Sequence, residues 1–282
     1  MGGIKFFVCA VFCLASFSGC FRGQSNAATG NAVSGQDAEM RGQSNAAEPD
    51  FQDDLRRILS DARLPPELVQ ELGAAAREGP SFILDLLAVL EGDPYLRILV
   101  DKAHALPGGY EPEDLVTLSG PSYRTGRNGL LLRQEAARAL EEMAAAAAAE
   151  GLTLTASSTY RSYNYQVEVY ARNVQEDGQE AADRVSARPG HSQHQLGLVV
   201  DFGSISDEFA GTREGRWLLS NAGRFGWSLS FPDGYEALTG YRWESWHYRY
   251  VGRDLVHFID TYFNGIQQYA LQFIHAWEEA AR

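Results

Sequence analysis

Two short stretches of this 282-residue sequence concentrate groups able to bind a cation and move a proton. Residues 192–201 read SQHQLGLVVD and hold His194 and Asp201; residues 243–250 read WESWHYRY and hold Glu244, His247 and Arg249. Asp201 closes an apolar run, Leu198-Val199-Val200, and Phe202 follows it. A carboxylate inside a buried strand costs on the order of several kcal/mol unless it is paired or metal-bound, so Asp201 demands a partner. His194 precedes it by seven positions, an odd separation that would turn the two apart on one continuous strand. Gly197 permits a sharp turn that would swing His194 back over the same end of the sheet. In the second stretch, a strand starting at Trp246 puts His247 and Arg249 on one face. Trp246, Tyr248 and Tyr250 share the other face, which is expected to be core. Glu244 lies just ahead of that strand, within reach of whatever His247 binds.

Two imidazoles and one carboxylate make a three-ligand zinc site with an open fourth position. A nearby glutamate outside the ligand set would then act as general base on an attacking water. The same spacings also suit ordinary buried pairs, His194 with Asp201 and Glu244 with Arg249, because H-x6-D and E-x-x-H are each weak signals alone. His191 borders the first stretch but is not needed for three ligands. His104, His257 and His275 fit helix surfaces or packing.

The elements that must position these groups read as a mixture of helices and short strands. Residues 51–104 show helical spacing (Leu55, Ile58 and Leu59; Leu68 and Leu72; Phe82, Leu86, Leu87 and Leu90), punctuated by Pro65-Pro66 and Gly79-Pro80. They form a small N-terminal helical region, expected to support packing without chemistry of its own. Residues 106–123 read as loop and 131–150 as one alanine-rich helix stopping at Gly151. Strands are expected at 152–157, 198–202, 227–231 and 246–251, and helices at 163–176, 216–225 and 258–281, with a polar connection over 177–193. Without βαβ regularity, the pattern predicts an α+β fold with a small, mainly antiparallel sheet flanked by helices.

Composition narrows the partners. The formal net charge is −13, so the chain lacks the basic footprint for phosphate backbones, and nucleic-acid binding is not expected. All three cysteines, Cys9, Cys13 and Cys20, lie in the first 20 residues, leaving the folded part no disulfide and no thiolate metal site. Lys5 and the apolar run 6–17, too short for a spanning helix, suit a secretory signal, and the run ends in Phe17-Ser18-Gly19-Cys20. That ending resembles a lipoprotein processing site, with Phe17 where an aliphatic residue is usual. It implies a lipid on Cys20 and an extracytoplasmic, membrane-anchored protein. Residues 21–50, in which RGQSNAA occurs twice, read as a flexible tether.

Residues 157–166 (SSTYRSYNYQ) join the two stretches into a longer pattern. Tyr160-Arg161-Ser162 with Gln166, then 192–201, then Glu244-Ser245-Trp246-His247 and Arg249-Tyr250-Val251-Gly252 resemble zinc D-alanyl-D-alanine carboxypeptidases of the VanY type. That family shows YRS followed by glutamine, S-x-H-x-x-G-x-A-x-D, and E-P-W-H with R-Y-V-G. Val199 stands where a small residue is usual and Ser245 where proline is usual. The resemblance covers about residues 106–252. It implies a D,D-peptidase/hedgehog-like fold over 106–262, ahead of a C-terminal helix at 263–282. It also implies zinc ligands His194, Asp201 and His247, with Glu244 as base. Arg161 is then expected to meet negative charge on the reacting carbonyl or to grip the substrate terminus. Ser192 and Gln166 are expected either to bind substrate or to play capping and bracing roles. The implied substrate is a peptidoglycan stem peptide losing its C-terminal D-alanine. Two other readings stay open: an L,D-carboxypeptidase acting on tetrapeptide stems, and a non-catalytic, zinc-stabilised wall-binding lipoprotein. The oligomeric state is not readable.

Overall fold

The computed structural model describes residues 51–282, so the signal, lipidation and tether expectations for residues 1–50 lie outside the described residues. Three helices open the described residues: α1 (Phe51–Asp61), α2 (Pro66–Glu78) and α3 (Ser81–Glu91). Strands β1 (Leu115–Thr117), β2 (Arg124–Thr125) and β3 (Leu131–Arg133) follow, then helix α4 (Gln134–Ala149) and strand β4 (Thr155–Ser158). Helices α5 (Tyr163–Asp177) and α6 (Gln179–Val185) lead to β5 (Val199–Phe202), helix α7 (Arg213–Asn221) and β6 (Trp227–Leu229). A short helix α8 (Glu236–Thr239), strand β7 (His247–Tyr250) and helices α9 (Arg253–Tyr262) and α10 (Gln267–Ala280) complete the chain.

The fold is α+β, as the sequence predicts. One sheet has the order β2-β4-β5-β7-β6, antiparallel except for β2 against β4, and β1 pairs with β3 in a second, two-stranded sheet. Four local expectations need correction. Residues 131–133 are strand rather than the start of the alanine-rich helix, and α6 occupies part of the supposed polar connection. The loop-like stretch 106–123 contains β1. The long C-terminal helix is two helices, broken where Asn264 and Gly265 take φ of 54° and 75°, a left-handed conformation that a helix cannot continue through.

Two apolar clusters hold these elements. The first packs α4 (Leu140, Met143, Ala144) against one face of the larger sheet, through Val200, Phe202, Trp246, Tyr248 and Tyr250. The aromatic face of β7 is therefore core, as expected. The second cluster joins α1–α3 to α9 and α10 through Leu55, Leu72, Phe82, Phe258 and Phe273. The other face of the larger sheet bears the polar residues, and the chain crossing it decides what each can do.

Candidate metal centre and its cleft

On that polar face, adjacent strands align their residues in one row. Ser158 of β4 pairs with Asp201 of β5, and Asp201 pairs with His247 of β7. Ser230, just past β6, continues the row by donating its N–H to the His247 carbonyl at 3.2 Å. Residues directly opposite one another across a ladder project to the same side, so the sheet delivers the carboxylate and one imidazole together.

His194 arrives from a 3-10 turn, Gln193–Leu196, that ends at Gly197 in the left-handed region (φ 70°). A Cβ at Gly197 would stand 2.9 Å from Leu115 Cδ2, so both the turn and its packing favour glycine. The expected swing of His194 over Asp201 is what this turn achieves. His194 Nε2 lies 3.3 Å from Asp201 Oδ2, and His247 Nδ1 lies 3.1 Å from Asp201 Oδ1. One donor atom from each of the three residues falls within 4.8 Å of the other two, and all three side chains are buried.

The chemistry of these atoms fits a divalent cation. His194 Nδ1 donates to the Thr159 carbonyl at 2.7 Å, which leaves the Nε2 lone pair facing Asp201. Burial pushes His194 down to about 4, with Asp201 only partly offsetting it, so the ring is neutral at physiological pH. Burial also opposes a charge on His247, but the adjacent Asp201 and Glu244 carboxylates prevail and raise it to about 9. Burial works against charge on Asp201 too; His194 and His247 outweigh it and hold the carboxyl well below its usual range. Asp201 Oδ1 is buried and accepts no well-formed hydrogen bond despite its 3.1 Å approach to His247. An anionic oxygen and two imidazole nitrogens converging at these separations are a ligand set for a small cation. The alternative of separate buried pairs fails for Arg249. It shares a face with His247, as expected, yet lies under the N-terminal region, donating to the Leu96 and Ile98 carbonyls at 3.0 and 2.9 Å.

The other expected residues surround this point. Glu244, held by its N–H to the Phe231 carbonyl, places Oε2 3.4 Å from His247 Nδ1. Together with His194, Asp201 and His247 it lines a cleft of about 390 Å³ that also includes Arg161 and Ser192. Arg161 donates to Gln166 Oε1 at 2.8 Å and to Ser158 Oγ at 3.2 Å. Burial lowers its proton affinity while Asp201 and Glu244 pull it back up. Gln166 Nε2 in turn donates to the Ala187 carbonyl at 2.7 Å, and Gln166 is absent from the cleft lining. Of its two expected roles, the geometry supports bracing Arg161. Ser192 is buried and lines the cleft.

Residues to which the sequence reading gave no role also shape the site. Phe231 packs on the His247 ring with centroids 4.7 Å apart, and Tyr241 packs on Phe231 at the same distance. Their only sequence signal is aromatic character, which core residues share. His191 lines the cleft, with Nδ1 2.7 Å from the Asp101 carbonyl, so the N-terminal region does touch the cleft wall. Thr159 contributes a backbone oxygen, for which no side-chain signal exists.

Comparison with known proteins gives a consistent picture. The model of the VanY family, described as D-alanyl-D-alanine carboxypeptidase, matches residues 129–253, a span that includes every expected cleft residue. A candidate carboxypeptidase of Bacillus subtilis, YodJ, is 37% identical over 177 residues, 60% of this chain; the match spans 65% of YodJ, just under two thirds. The solved structure of LdcB, an LD-carboxypeptidase, is similar at 36% identity and a TM-score of 0.54, covering 60% of this chain and 85% of that one. The D,D-pentapeptidase VanY from a VanB-type resistance cassette, solved with Zn(II), is similar at 31% identity and a TM-score of 0.52, covering 61% of this chain and 96% of that one.

Proposed function

This chain belongs to the VanY family of D-alanyl-D-alanine carboxypeptidases, and from that premise we propose that it is a zinc-dependent hydrolase removing the C-terminal D-alanine of peptidoglycan stem peptides. The observation that carries the proposal is the meeting of His194, Asp201 and His247 beside Glu244 and Arg161 in one cleft. His194 Nε2, one Asp201 oxygen and His247 Nδ1 would hold the ion. When bound, zinc supplies Lewis acidity at neutral pH without redox chemistry.

The chain's own groups account for the remaining requirements. Glu244 is the general base: its carboxylate takes a proton from the water attacking the scissile carbonyl carbon. As the C–N bond breaks, Glu244 returns that proton to the leaving nitrogen of D-alanine. Arg161 meets the negative charge that develops on the carbonyl oxygen, or holds the substrate carboxylate. Its guanidinium is fixed in place by Gln166 and Ser158 before substrate arrives, so little reorganisation is needed. Ser192 offers a hydroxyl at the cleft wall for the peptide backbone. Purified protein loaded with zinc should release D-alanine from a pentapeptide stem. No release from either a pentapeptide or a tetrapeptide stem would overturn the proposal.

A second reading, an L,D-carboxypeptidase acting on tetrapeptide stems, draws support from the 36% identity to LdcB. Both reactions use the same base, cation and guanidinium, so the cleft rim decides between them. Product masses from the two stems separate the readings. A non-catalytic wall-binding module has less support, because Glu244 serves no purpose in a purely structural metal site.

The proposal also includes an extracytoplasmic location with a lipid on Cys20, supported by the apolar run and the small residues before that cysteine. The full chain expressed in bacteria should partition into detergent, and Cys20→Ser should move it to the aqueous phase.

A further inference from the structure

The nitrogen of His247 that faces away from Asp201 meets a buried polar chain that none of the roles above uses. His247 Nε2 lies 3.3 Å from Gln193 Oε1, and Ser230 Oγ donates to the same oxygen at 2.7 Å. Ser230 Oγ also lies 3.3 Å from Gln267 Oε1, and Gln267 Nε2 reaches the Ser228 carbonyl at 3.3 Å. Gln193, Ser230 and Gln267 are 5%, 2% and 1% exposed, so these bonds are buried, with Gln193 also lining the cleft.

With Ser230 Oγ donating to it, Gln193 Oε1 is the end of the amide that faces His247 Nε2. To bind a cation His247 must give up the second proton that the nearby carboxylates hold on it in the metal-free site, and the neutral ring then carries a single N–H. An acceptor beside Nε2 keeps that hydrogen there and leaves the lone pair on Nδ1, the atom that faces Asp201 Oδ1 at 3.1 Å. His194 is set the opposite way, its Nδ1 committed to Thr159 O and its Nε2 facing Asp201. The two histidines thus present different nitrogens to one point, each selected by the acceptor behind it.

We propose that Gln193 is a positioning residue that selects the Nδ1-ligating form of His247 and fixes the ring plane. Ser230 and Gln267 extend this support to α10, which lies beyond the family-matched residues 129–253. The inference rests on the metal reading of the site, but not on which stem peptide is cut. A leucine at position 193 keeps the approximate volume and removes the acceptor, leaving a buried N–H unpaired. A glutamate restores the acceptor.

The test is titration of metal-free protein with zinc alone, in competition with a chromophoric chelator, together with the visible spectrum of the cobalt-substituted protein. Gln193→Leu should lose roughly 10–100-fold in zinc affinity and shift the cobalt bands. Gln193→Glu should keep the wild-type bands and affinity, and Ser230→Ala should show a smaller loss in the direction of leucine. Thermal melts of the metal-free proteins check folding. If Gln193→Leu does not fold, Ser230→Ala against wild type decides. Equal zinc affinity and identical cobalt spectra in the deciding pair, or a Gln193→Glu variant as impaired as leucine, would overturn the inference. A wild-type protein that takes up no zinc would instead overturn the metal reading.

Discussion

Asp201 and His247 are direct cross-strand partners on β5 and β7, their side chains approaching to 3.1 Å. A pairing register is fixed along the whole ladder, because a slip by one residue would send Val200 to the polar face and Asp201 into the apolar cluster. The core of the sheet therefore sets the geometry of the metal site. The ligands sit on strand backbone whose position is decided by Val200, Phe202, Tyr248 and Trp246, and only His194 depends on a turn.

From this follows the expected behaviour on metal removal. The sheet is held by apolar packing, so chelation should abolish hydrolysis while leaving far-ultraviolet circular dichroism unchanged, and zinc should restore activity. Free zinc at a hundredfold its Kd should add about 2.7 kcal/mol to stability. For a folded unit of this size that raises Tm by roughly 5–10 °C. Asp201→Asn should weaken zinc by more than the roughly 10–100-fold typical of an outer partner. Collapse of secondary structure on chelation would contradict this account.

The proposed role of Glu244 as base separates catalysis from metal binding. Glu244 is not among the three clustered ligands, yet its Oε2 lies 3.4 Å from His247 Nδ1. Glu244→Gln should lower kcat by roughly 100- to 10,000-fold while elemental analysis still finds stoichiometric zinc. Unchanged hydrolysis would remove Glu244 from the mechanism.

What the sequence made legible follows from where the information is local. Asp201 ending an apolar run, Gly197 before it and the alternation of Trp246 to Tyr250 each announce themselves within a few residues, and all three lead to the observed placement. The bracing of Arg161 by Gln166 is a contact between residues five apart, so it too was within reach of the sequence. The burial of Arg249 was not, because the carbonyls that cap it belong to Leu96 and Ile98, more than 150 residues away in the chain. Nor was the contact between His191 and the Asp101 carbonyl, since a backbone acceptor has no side-chain signature. The break at Asn264 was hidden because helical periodicity continues on both sides of it.

Arg161 and Gln166 should behave as one unit. Arg161→Lys removes the planar fork that lets one cation bond Gln166 and Ser158 together while facing the cleft. It should cost roughly 100- to 1,000-fold in kcat, the scale of one lost donor to a developing oxyanion. Gln166→Leu removes a charge-assisted hydrogen bond worth about 1.5–3 kcal/mol, a loss of roughly 10- to 100-fold. The double variant should be little worse than Arg161→Lys alone. Strict additivity would mean that Gln166 acts independently, through substrate.

Lys102 gives the chain a testable alkaline signature. Its ammonium lies 3.6 Å over the Tyr241 ring and donates to the Asp183 carbonyl. Burial lowers its pKa from 10.5 to about 8, against the attraction of Asp183. Between those values the unfolded chain binds the proton more fully than the folded one does, so this lysine makes stability rise with pH. Its charged form is a standing cost below about pH 8, relieved as the pH climbs. Tyr241, Tyr248 and Tyr250 oppose the trend above about pH 10. Burial raises each of their hydroxyls above its ordinary value, and there the unfolded chain is the one that loses protons. The informative window is therefore about pH 8 to 10. Denaturant melts of metal-free wild type and Lys102→Met across that window should show the wild type gaining stability relative to the variant. The histidine and carboxylate contributions are common to both proteins and cancel in the difference. A flat or falling difference would mean that Lys102 keeps its ordinary proton affinity in the folded protein.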